Sequence, residues 1–267
     1  MKRLFLSLLV FSAALGLHNA LAQDWAKAKL DKSPRHSEWI DLKNGDRTVK
    51  TFVVYPEVKA KAPVVLVIHE IFGLTDWAKS LADELAAAGY IAIAPDLLSA
   101  PGKDTSSYPD QGAAIKAISA LPDAQVMADL DAAADYAAKI PAANGILTVT
   151  GFCWGGGKAF AYANHNPKLK ASYVFYGTGP EKAAEAAQIK CPVYGFYAED
   201  DARIGATLPQ TSKVMQEAGK TFEPVTYPGA GHGFMRAGAA PDATEANRKA
   251  RDAAWERWKS LLKKLGS

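Results

Sequence analysis

The stretch ILTVTGFCWGGGKAFAYANH, residues 146–165, decides the fold of this chain. Its first five residues are β-branched or aliphatic, which is typical of a buried strand, and KAFAYANH has the alanine content of a helix. Between these two segments, four glycines surround Cys153. A strand, a tight glycine turn and a helix in direct succession indicate an α/β domain, with Cys153 presented at the turn.

The rest of the chain alternates strand-like and helix-like segments in the same way. The predicted strands are RTVKTFVVYP (47–56), APVVLVIHE (62–70), YIAIAPDLL (90–98), GILTVT (145–150), ASYVFYGTG (171–179), CPVYGFYAEDD (191–201) and TFEPVTYPGAGHGF (221–234). The main predicted helices cover residues 75–90, 123–140 and 245–265. This alternation predicts an α/β fold with a mostly parallel, doubly wound sheet, helices on both faces and a single domain.

The N-terminal segment has the pattern of a secretory signal peptide. Lys2 and Arg3 precede the apolar run LFLSLLVFSAALGL, and Ala20-Leu21-Ala22 fits a cleavage site of small residues. We expect residues 1–22 to be a signal peptide and residues 23–267 to form the domain, in the periplasm or secreted. The alternative is a membrane anchor, but the apolar run is shorter than the roughly 20 residues that a span needs.

Charge and cysteine usage exclude several classes of function. Removal of Lys2 and Arg3 lowers the net charge from +3 to +1, and no basic stretch is interleaved with aromatic residues. We therefore expect no nucleic-acid partner, and no membrane contact after cleavage. Cys153 follows a strand whereas Cys191 begins one, so they lie about a strand length apart, roughly 17–20 Å. A disulfide needs Cα atoms within about 7 Å, which predicts two free thiols.

Polar residues follow the strands at the edge of the sheet where α/β proteins place their sites. Cys153, then Asp200 or Asp201, then His232 lie at three predicted strand ends, and their order along the chain is the nucleophile, acid, histidine order of a hydrolase triad. Gly151 and Gly155 give the turn the form G-x-C-x-G, in which a side chain at either glycine would collide with the neighbouring strand or helix.

A strand-turn-helix of this form also predicts an oxyanion hole. The backbone N–H of Trp154 directly follows the nucleophile, and a second N–H is expected from Ile71 in the loop after the strand at 62–70. The helix N-terminus beneath Cys153 favours a thiolate.

Four motifs together resemble the dienelactone hydrolases, enzymes of the α/β-hydrolase fold with a catalytic cysteine. They are HEIFG at 69–73, GFCWGG at 151–156, D-x-x-I at 201–204 and AGHGF-x-R at 230–236. The resemblance implies that Cys153 is the nucleophile, His232 the base and Asp201 the acid that orients it. It also implies that Glu70 is the additional carboxylate beside the thiol and that Arg236 contacts a substrate carboxylate.

Three of these assignments have a simpler alternative. Asp200 could replace Asp201, Glu70 could be a loop carboxylate, and Arg236 could be a surface charge. If Glu70 does lie beside the thiol, it could accept the thiol's hydrogen bond and protect it until substrate binds. The family's second substrate arginine is missing, because residues 97–102 read LLSAPG, and the loop at 98–110 could act as a lid.

We therefore expect a monomeric, exported carboxylic-ester hydrolase that cleaves activated or enol esters or lactones through a thioester on Cys153. No zinc-like ligand cluster and no phosphate-binding glycine loop occurs in the sequence, so we expect neither metal nor cofactor. The alternatives are a non-catalytic exported protein that binds a small molecule on the same fold, and a thiol redox protein. The redox function would need a resolving cysteine, which Cys191 is too distant to supply.

Overall fold

The computed structural model describes residues 17–265, with side chains described from residue 23. Its strands are β1 (Ser37–Asn44), β2 (Arg47–Val54), β3 (Ala62–Ile68), β4 (Ile91–Pro95), β5 (Ala143–Phe152), β6 (Ser172–Phe175), β7 (Val193–Ala198) and β8 (Phe222–Tyr227). Its α-helices are α1 (Leu17–Leu30), α2 (Asp76–Ala87), α3 (Gln111–Ser119), α4 (Asp123–Ala137), α5 (Trp154–His165), α6 (Ala202–Gly205), α7 (Leu208–Glu217), α8 (Phe234–Ala237) and α9 (Glu245–Leu265). The predicted signal peptide lies outside the described residues except for 17–22, where only the backbone is described.

The eight strands form one sheet in the order β1-β2-β4-β3-β5-β6-β7-β8. Every pair from β4 to β8 is parallel, whereas β1 with β2 and β2 with β4 are antiparallel. The mostly parallel sheet predicted from the sequence is therefore confirmed. Since parallel strands point the same way, the turns after β3, β5, β6 and β7 meet at one edge, where the candidate site lies.

The sequence analysis missed the first strand. β1 pairs with β2 across the two-residue turn Gly45-Asp46, with Asn44 opposite Arg47 and Gly45 at φ 56°. A Gly-Asp pair between two strand segments is a signal for such a hairpin. However, β1 is an edge strand in which Leu42 alone is buried, so its apolar content is too low to reveal it.

Two hydrophobic layers cover the sheet. Along β3, Val65 and Val67 face one layer, while Leu66 and Ile68 face the other, as the twofold alternation of a strand requires. Helices α1, α2 and α9 contribute to the first layer, and α4, α5 and α7 to the second. The doubly wound arrangement with helices on both faces is thus confirmed. Burial of strand residues on both faces also explains why β3 is a continuous apolar run.

The loop after β4 is held at both ends by one carboxylate. Asp96 accepts hydrogen bonds from the N–H of Leu98 at 3.0 Å, and from the N–H and hydroxyl of Thr105, each at 2.7 Å. Leu97, Leu98 and Ser99 are buried. These contacts tie down the segment that the sequence leaves open as a lid.

In α9, Trp258 and Leu262 are buried in the first layer, and the partly buried Trp255 and Leu265 pack against it. Within residues 17–265, no helix is both long and apolar enough to cross a membrane.

Candidate active site

Cys153 lies on a strained turn between β5 and α5. Its φ is 55° and its ψ is −118°, a conformation that non-glycine residues rarely adopt. A Cβ at Gly151 would lie 1.9 Å from the Gly155 carbonyl oxygen, and a Cβ at Gly155 would lie 2.3 Å from that of His69. The predicted need for glycine at both positions is confirmed. The close approach of β3, β5 and α5 therefore fixes the turn that presents the thiol.

Three side chains from separate loops meet at this turn. The Cys153 Sγ lies 3.1 Å from Nε2 of His232, and Nδ1 of His232 is hydrogen bonded to Oδ2 of Asp201. The other Asp201 oxygen accepts the N–H of Ile204 at 3.3 Å. Asp200 is exposed, so the carboxylate that contacts His232 is that of Asp201. Cys153 and Cys191 are both free thiols, as predicted, and Cys191 is buried.

The surroundings of His232 change its basicity. Burial lowers its pKa, but the hydrogen bonds and charges of Cys153 and Asp201 outweigh burial and leave the pKa raised. Asp201 is itself only 6% exposed, and the histidine ring shields it from water. The arrangement lets Nε2 take a proton from the thiol while the carboxylate stabilises the resulting imidazolium.

The two residues whose backbone N–H groups are predicted to form the oxyanion hole lie near the thiol in the cleft. Ile71 and Trp154 line the same cleft as Cys153, and neither N–H donates to another residue of the described chain. His69 supports this region: its Nδ1 lies 2.7 Å from the Glu70 carbonyl oxygen, and its Nε2 accepts the N–H of Leu97 at 3.2 Å. Burial lowers the pKa of His69, so its neutral ring acts as a brace between the two loops.

Glu70 is hydrogen bonded to two other side chains, and its place beside the thiol stays a prediction. Its carboxylate accepts Nε of Arg236 at 2.7 Å and the Tyr176 hydroxyl at 3.4 Å, rather than the thiol. Burial raises the pKa of Glu70, while Arg236 opposes this rise. Arg236 also lies over the Phe72 ring, at 5.2 Å. In this conformation Nε of Arg236 is paired with a protein carboxylate, and the contact of Arg236 with a substrate carboxylate stays a prediction.

Tyr176 is a site residue that the sequence analysis missed. It directly follows β6, has φ 40°, and its ring lies 5.0 Å from that of His232. Burial holds the pKa of its hydroxyl well above the usual value, so it is a neutral donor to Glu70. Its position at a strand end was the available signal, but an aromatic residue there also suits core packing.

A cleft of about 610 Å³ opens over the thiol. Ile71, Cys153, Trp154 and Tyr176 line its reactive end. Four charged residues that the sequence analysis did not assign also line it, and they are Asp123, Lys158, Glu185 and Arg203. No group of three or more His, Cys, Asp or Glu side chains within residues 17–265 is arranged to hold a metal ion.

Comparison with known proteins identifies the same family as the four motifs. The model of the dienelactone hydrolase family matches residues 49–266. A protein of Methylorubrum extorquens named "Putative carboxymethylenebutenolidase" is 38% identical over 200 residues, which cover 71% of this chain and 69% of that protein. An Escherichia coli K12 protein of the same name is 37% identical over 183 residues, or 64% of this chain and 67% of that protein.

Solved structures share the architecture. The crystal structure of a "Putative Dienelactone Hydrolase" from Klebsiella pneumoniae superposes with a TM-score of 0.76 at 32% identity, covering 85% of this chain and 98% of that one. A Pyrococcus horikoshii acylaminoacyl peptidase, 14% identical, superposes with a TM-score of 0.68 over 89% of this chain and 43% of that one. At that identity the likeness concerns the fold alone. The predicted α/β-hydrolase fold is confirmed.

Proposed function

Because the chain belongs to the dienelactone hydrolase family, and is thus a hydrolase, we propose that it cleaves activated or enol esters or lactones through a Cys153-His232-Asp201 triad. The observation that carries the proposal is the 3.1 Å separation between Sγ of Cys153 and Nε2 of His232. The hydrogen bond from His232 to Asp201 completes the chain of contacts that an activated nucleophile requires.

The first half of the reaction forms a thioester. The thiol proton of Cys153 moves to Nε2 of His232, and the thiolate attacks the acyl carbon. The N–H groups of Ile71 and Trp154 stabilise the oxyanion of the tetrahedral intermediate. Collapse of the intermediate breaks the bond to the leaving oxygen, which takes the proton from His232 and departs as an alcohol or enol.

The second half releases the acid. His232 takes a proton from water, and the resulting hydroxide attacks the thioester carbonyl, again with the oxyanion at the two N–H groups. Collapse expels the Cys153 sulfur, which regains its proton from His232. A thiolate nucleophile displaces a good leaving group readily and a poor one slowly. Activated and enol esters should therefore react faster than alkyl esters or amides.

Glu70 and Arg236 serve the site through charge in this proposal. When Glu70 pairs with Arg236, as in the 2.7 Å contact, the Cys153 thiol is free to hydrogen bond with His232. A turn of the carboxylate toward the thiol would instead protect Cys153 between catalytic cycles. The Glu70→Gln variant tests this idea: unchanged rates of thiol alkylation would exclude it.

We also propose that the protein is an exported monomer whose mature form begins at Gln23, in the periplasm or outside the cell. The pattern of residues 1–22 supports this proposal. N-terminal sequencing of the full-length gene product recovered from the periplasm and medium should give Gln23 first. An intact Met1 in the cytoplasmic fraction would contradict it. Light scattering of the mature protein should give the mass of one chain.

The decisive experiment measures initial rates on a neutral aryl acetate and on a carboxylate-bearing dienelactone, for the wild type and for Cys153→Ala. We expect turnover by the wild type and its loss in Cys153→Ala. Retained activity in the variant would remove Cys153 from the mechanism. Absence of turnover, with stabilisation of the fold by either compound, would favour the non-catalytic binding protein. Cys191→Ala, at a buried thiol remote from the cleft, is the control for loss of a cysteine.

A further inference from the structure

His69 joins the loops after β3 and β4, and both of its ring nitrogens are engaged. Its Nδ1 lies 2.7 Å from the Glu70 carbonyl oxygen, and its Nε2 lies 3.2 Å from the backbone nitrogen of Leu97. A carbonyl oxygen only accepts and a backbone N–H only donates, so Nδ1 carries the ring proton and Nε2 does not. Burial lowers the pKa of the ring, which keeps it neutral. Because His69 is fully buried, it does not touch a substrate.

The Glu70 carbonyl belongs to the same peptide unit as the Ile71 N–H. A trans peptide unit is planar, and its C=O and N–H point in opposite directions. No peptide bond within the described part of the chain is cis. The hydrogen bond from Nδ1 of His69 therefore fixes the direction of the Ile71 N–H together with that of the carbonyl. The N–H of Gly73 donates to the same carbonyl oxygen at 3.2 Å and supports it from a second direction.

His69 also contacts the second predicted donor of the oxyanion hole. Its ring is stacked on the Trp154 ring, with the centroids 5.9 Å apart and an angle of 16° between the planes. Its backbone carbonyl oxygen packs against Gly155, where a Cβ would lie 2.3 Å away. One buried side chain is thus in contact with both residues whose N–H groups are predicted to stabilise the oxyanion.

The support behind His69 is itself held in place. Leu97, whose N–H donates to Nε2, is buried, and so is the preceding Asp96. The Asp96 carboxylate accepts the N–H groups of Leu98 and Thr105, which fixes the loop after β4. In a catalytic site, a displacement of about 1 Å can cost about 10²-fold in rate, so a rigid support for the Ile71 N–H has a kinetic consequence.

We propose that His69 is a positioning residue for the oxyanion hole: its Nδ1–H holds the Glu70–Ile71 peptide unit so that the Ile71 N–H is presented to the cleft. This inference rests on the proposed hydrolase function and adds a residue to the machinery of the same site. The oxyanion forms only as the carbonyl is attacked. Loss of the Nδ1 donor should therefore slow acyl transfer while leaving substrate binding and the reactivity of the thiol unchanged.

Two substitutions separate the roles of the two ring nitrogens. The amide nitrogen in His69→Asn stands near the position of Nδ1 and still donates to the Glu70 carbonyl. The amide oxygen in His69→Gln stands near Nε2 and still accepts from Leu97, but the donor to Glu70 is lost. We expect His69→Gln to lower kcat/KM on a neutral aryl acetate by about 10- to 10²-fold, and His69→Asn by less than about threefold.

Alkylation of Cys153 by iodoacetamide distinguishes positioning from general damage to the site. The thiolate then attacks a saturated carbon and no oxyanion forms, so the rate reports on the thiol alone. This rate should be unchanged in both His69 variants, and so should the Kd of the aryl acetate when His69→Gln is added to Cys153→Ala. His165→Asn and His165→Gln, at the exposed histidine that ends α5, are the controls and should not differ in kcat/KM.

Three results would overturn the role of His69. They are equal losses of kcat/KM in its two variants, a parallel loss of alkylation in His69→Gln, and a weaker Kd in the Cys153→Ala background. Equal hydrolysis by the wild type and Cys153→Ala would instead refute the thioester mechanism, and the role of His69 with it. Hydrolysis that needs Cys153 but is the same in His69→Asn and His69→Gln would refute the role of His69 alone.

The tautomer of His69 gives a further test in the unaltered protein. The nitrogen NMR signals of its ring should show a protonated Nδ1 and an unprotonated Nε2 from pH 5 to pH 9. A proton on Nε2, or a ring that titrates within this range, would overturn the assignment even if neither His69 variant folds.

Discussion

The Sγ atom of Cys153 lies 3.1 Å from Nε2 of His232, although 79 residues separate them in the chain. The sheet order explains the contact: β6 and β7 lie between β5, which precedes the cysteine, and β8, which precedes the histidine. The loop after β8 reaches back over the ends of these two strands, past Asp201 and Tyr176. Each intervening strand thus contributes one residue to the ring of contacts around His232.

The contact predicts the acid limb of the pH profile. His232 accepts the thiol proton only when its ring is neutral, and its pKa is raised above the usual value near 6.5. We expect kcat/KM on a neutral aryl ester to fall about tenfold per pH unit below an apparent pKa that lies above 6.5. Values of kcat/KM measured from pH 5 to pH 9 test this prediction. His165→Gln, a histidine at the far end of α5, should have the same profile, and an acid limb below pH 6 in the wild type would refute the argument.

A pair of neighbouring aspartates gives a matched test of the acid. Asp201→Asn removes the negative charge that faces Nδ1 of His232 and should lower kcat about 10³- to 10⁴-fold. It should also move the acid limb to lower pH, because the charge and the charge-assisted hydrogen bond that raise the histidine pKa are lost. Asp200→Asn changes the same charge one residue away, on an exposed side chain, and should stay within about twofold of the wild type. The reverse result would assign the acid to Asp200.

The tight turn at the nucleophile predicts a large effect of one methyl group. A Cβ at Gly155 would lie 2.3 Å from the His69 carbonyl oxygen and 2.5 Å from that of Ile68, and both are backbone atoms of a buried strand end. Gly155→Ala should therefore lower the free energy of unfolding by about 3 kcal/mol. Urea denaturation measures it.

Gly205→Ala is the control, because a Cβ there has no atom within 4 Å. It should be neutral or stabilising by about 0.5 kcal/mol, since alanine restricts the unfolded chain. Similar losses of unfolding free energy in Gly155→Ala and Gly205→Ala would show that the close approach of α5 to β3 does not limit stability.

The ion pair between Arg236 and Glu70 predicts a pH-dependent loss of stability. Glu70 is 4% exposed and Arg236 is 32% exposed in their side chains. Arg236→Gln leaves the carboxylate buried and unpaired, and we expect a loss of about 2 kcal/mol at pH 8, less than for a fully buried pair. Urea unfolding at several pH values tests it.

The sign of the pH dependence follows from the pKa of Glu70. Burial already raises it, and removal of Arg236 removes the main opposing charge. A carboxyl with a raised folded pKa contributes stability below its unfolded pKa, near 4.3, and that contribution disappears as the pH rises through the folded pKa. The loss in Arg236→Gln should therefore be smaller at pH 5 than at pH 8. Lys249→Gln, which breaks an exposed pair with Glu245, should show no such trend.

The sequence by itself determined the features that depend on neighbouring residues. Alternation and apolar runs predicted the strands from β2 to β8, and the glycines around Cys153 predicted the turn, because only a residue without Cβ fits those contacts. The order cysteine, aspartate, histidine along the chain predicted which residues belong to the candidate triad. Strand β1 escaped because an edge strand buries little apolar surface.

Only the tertiary structure decided which charges face one another. Asp200 and Asp201 are the same type of residue and adjacent in the chain. The path of the loop after β8 places His232 against Asp201. Glu70 and Arg236 are 166 residues apart, and the packing of the turns after β3 and β8 joins them. Such relationships depend on strand order and on the direction of each side chain, which no local pattern of residues encodes.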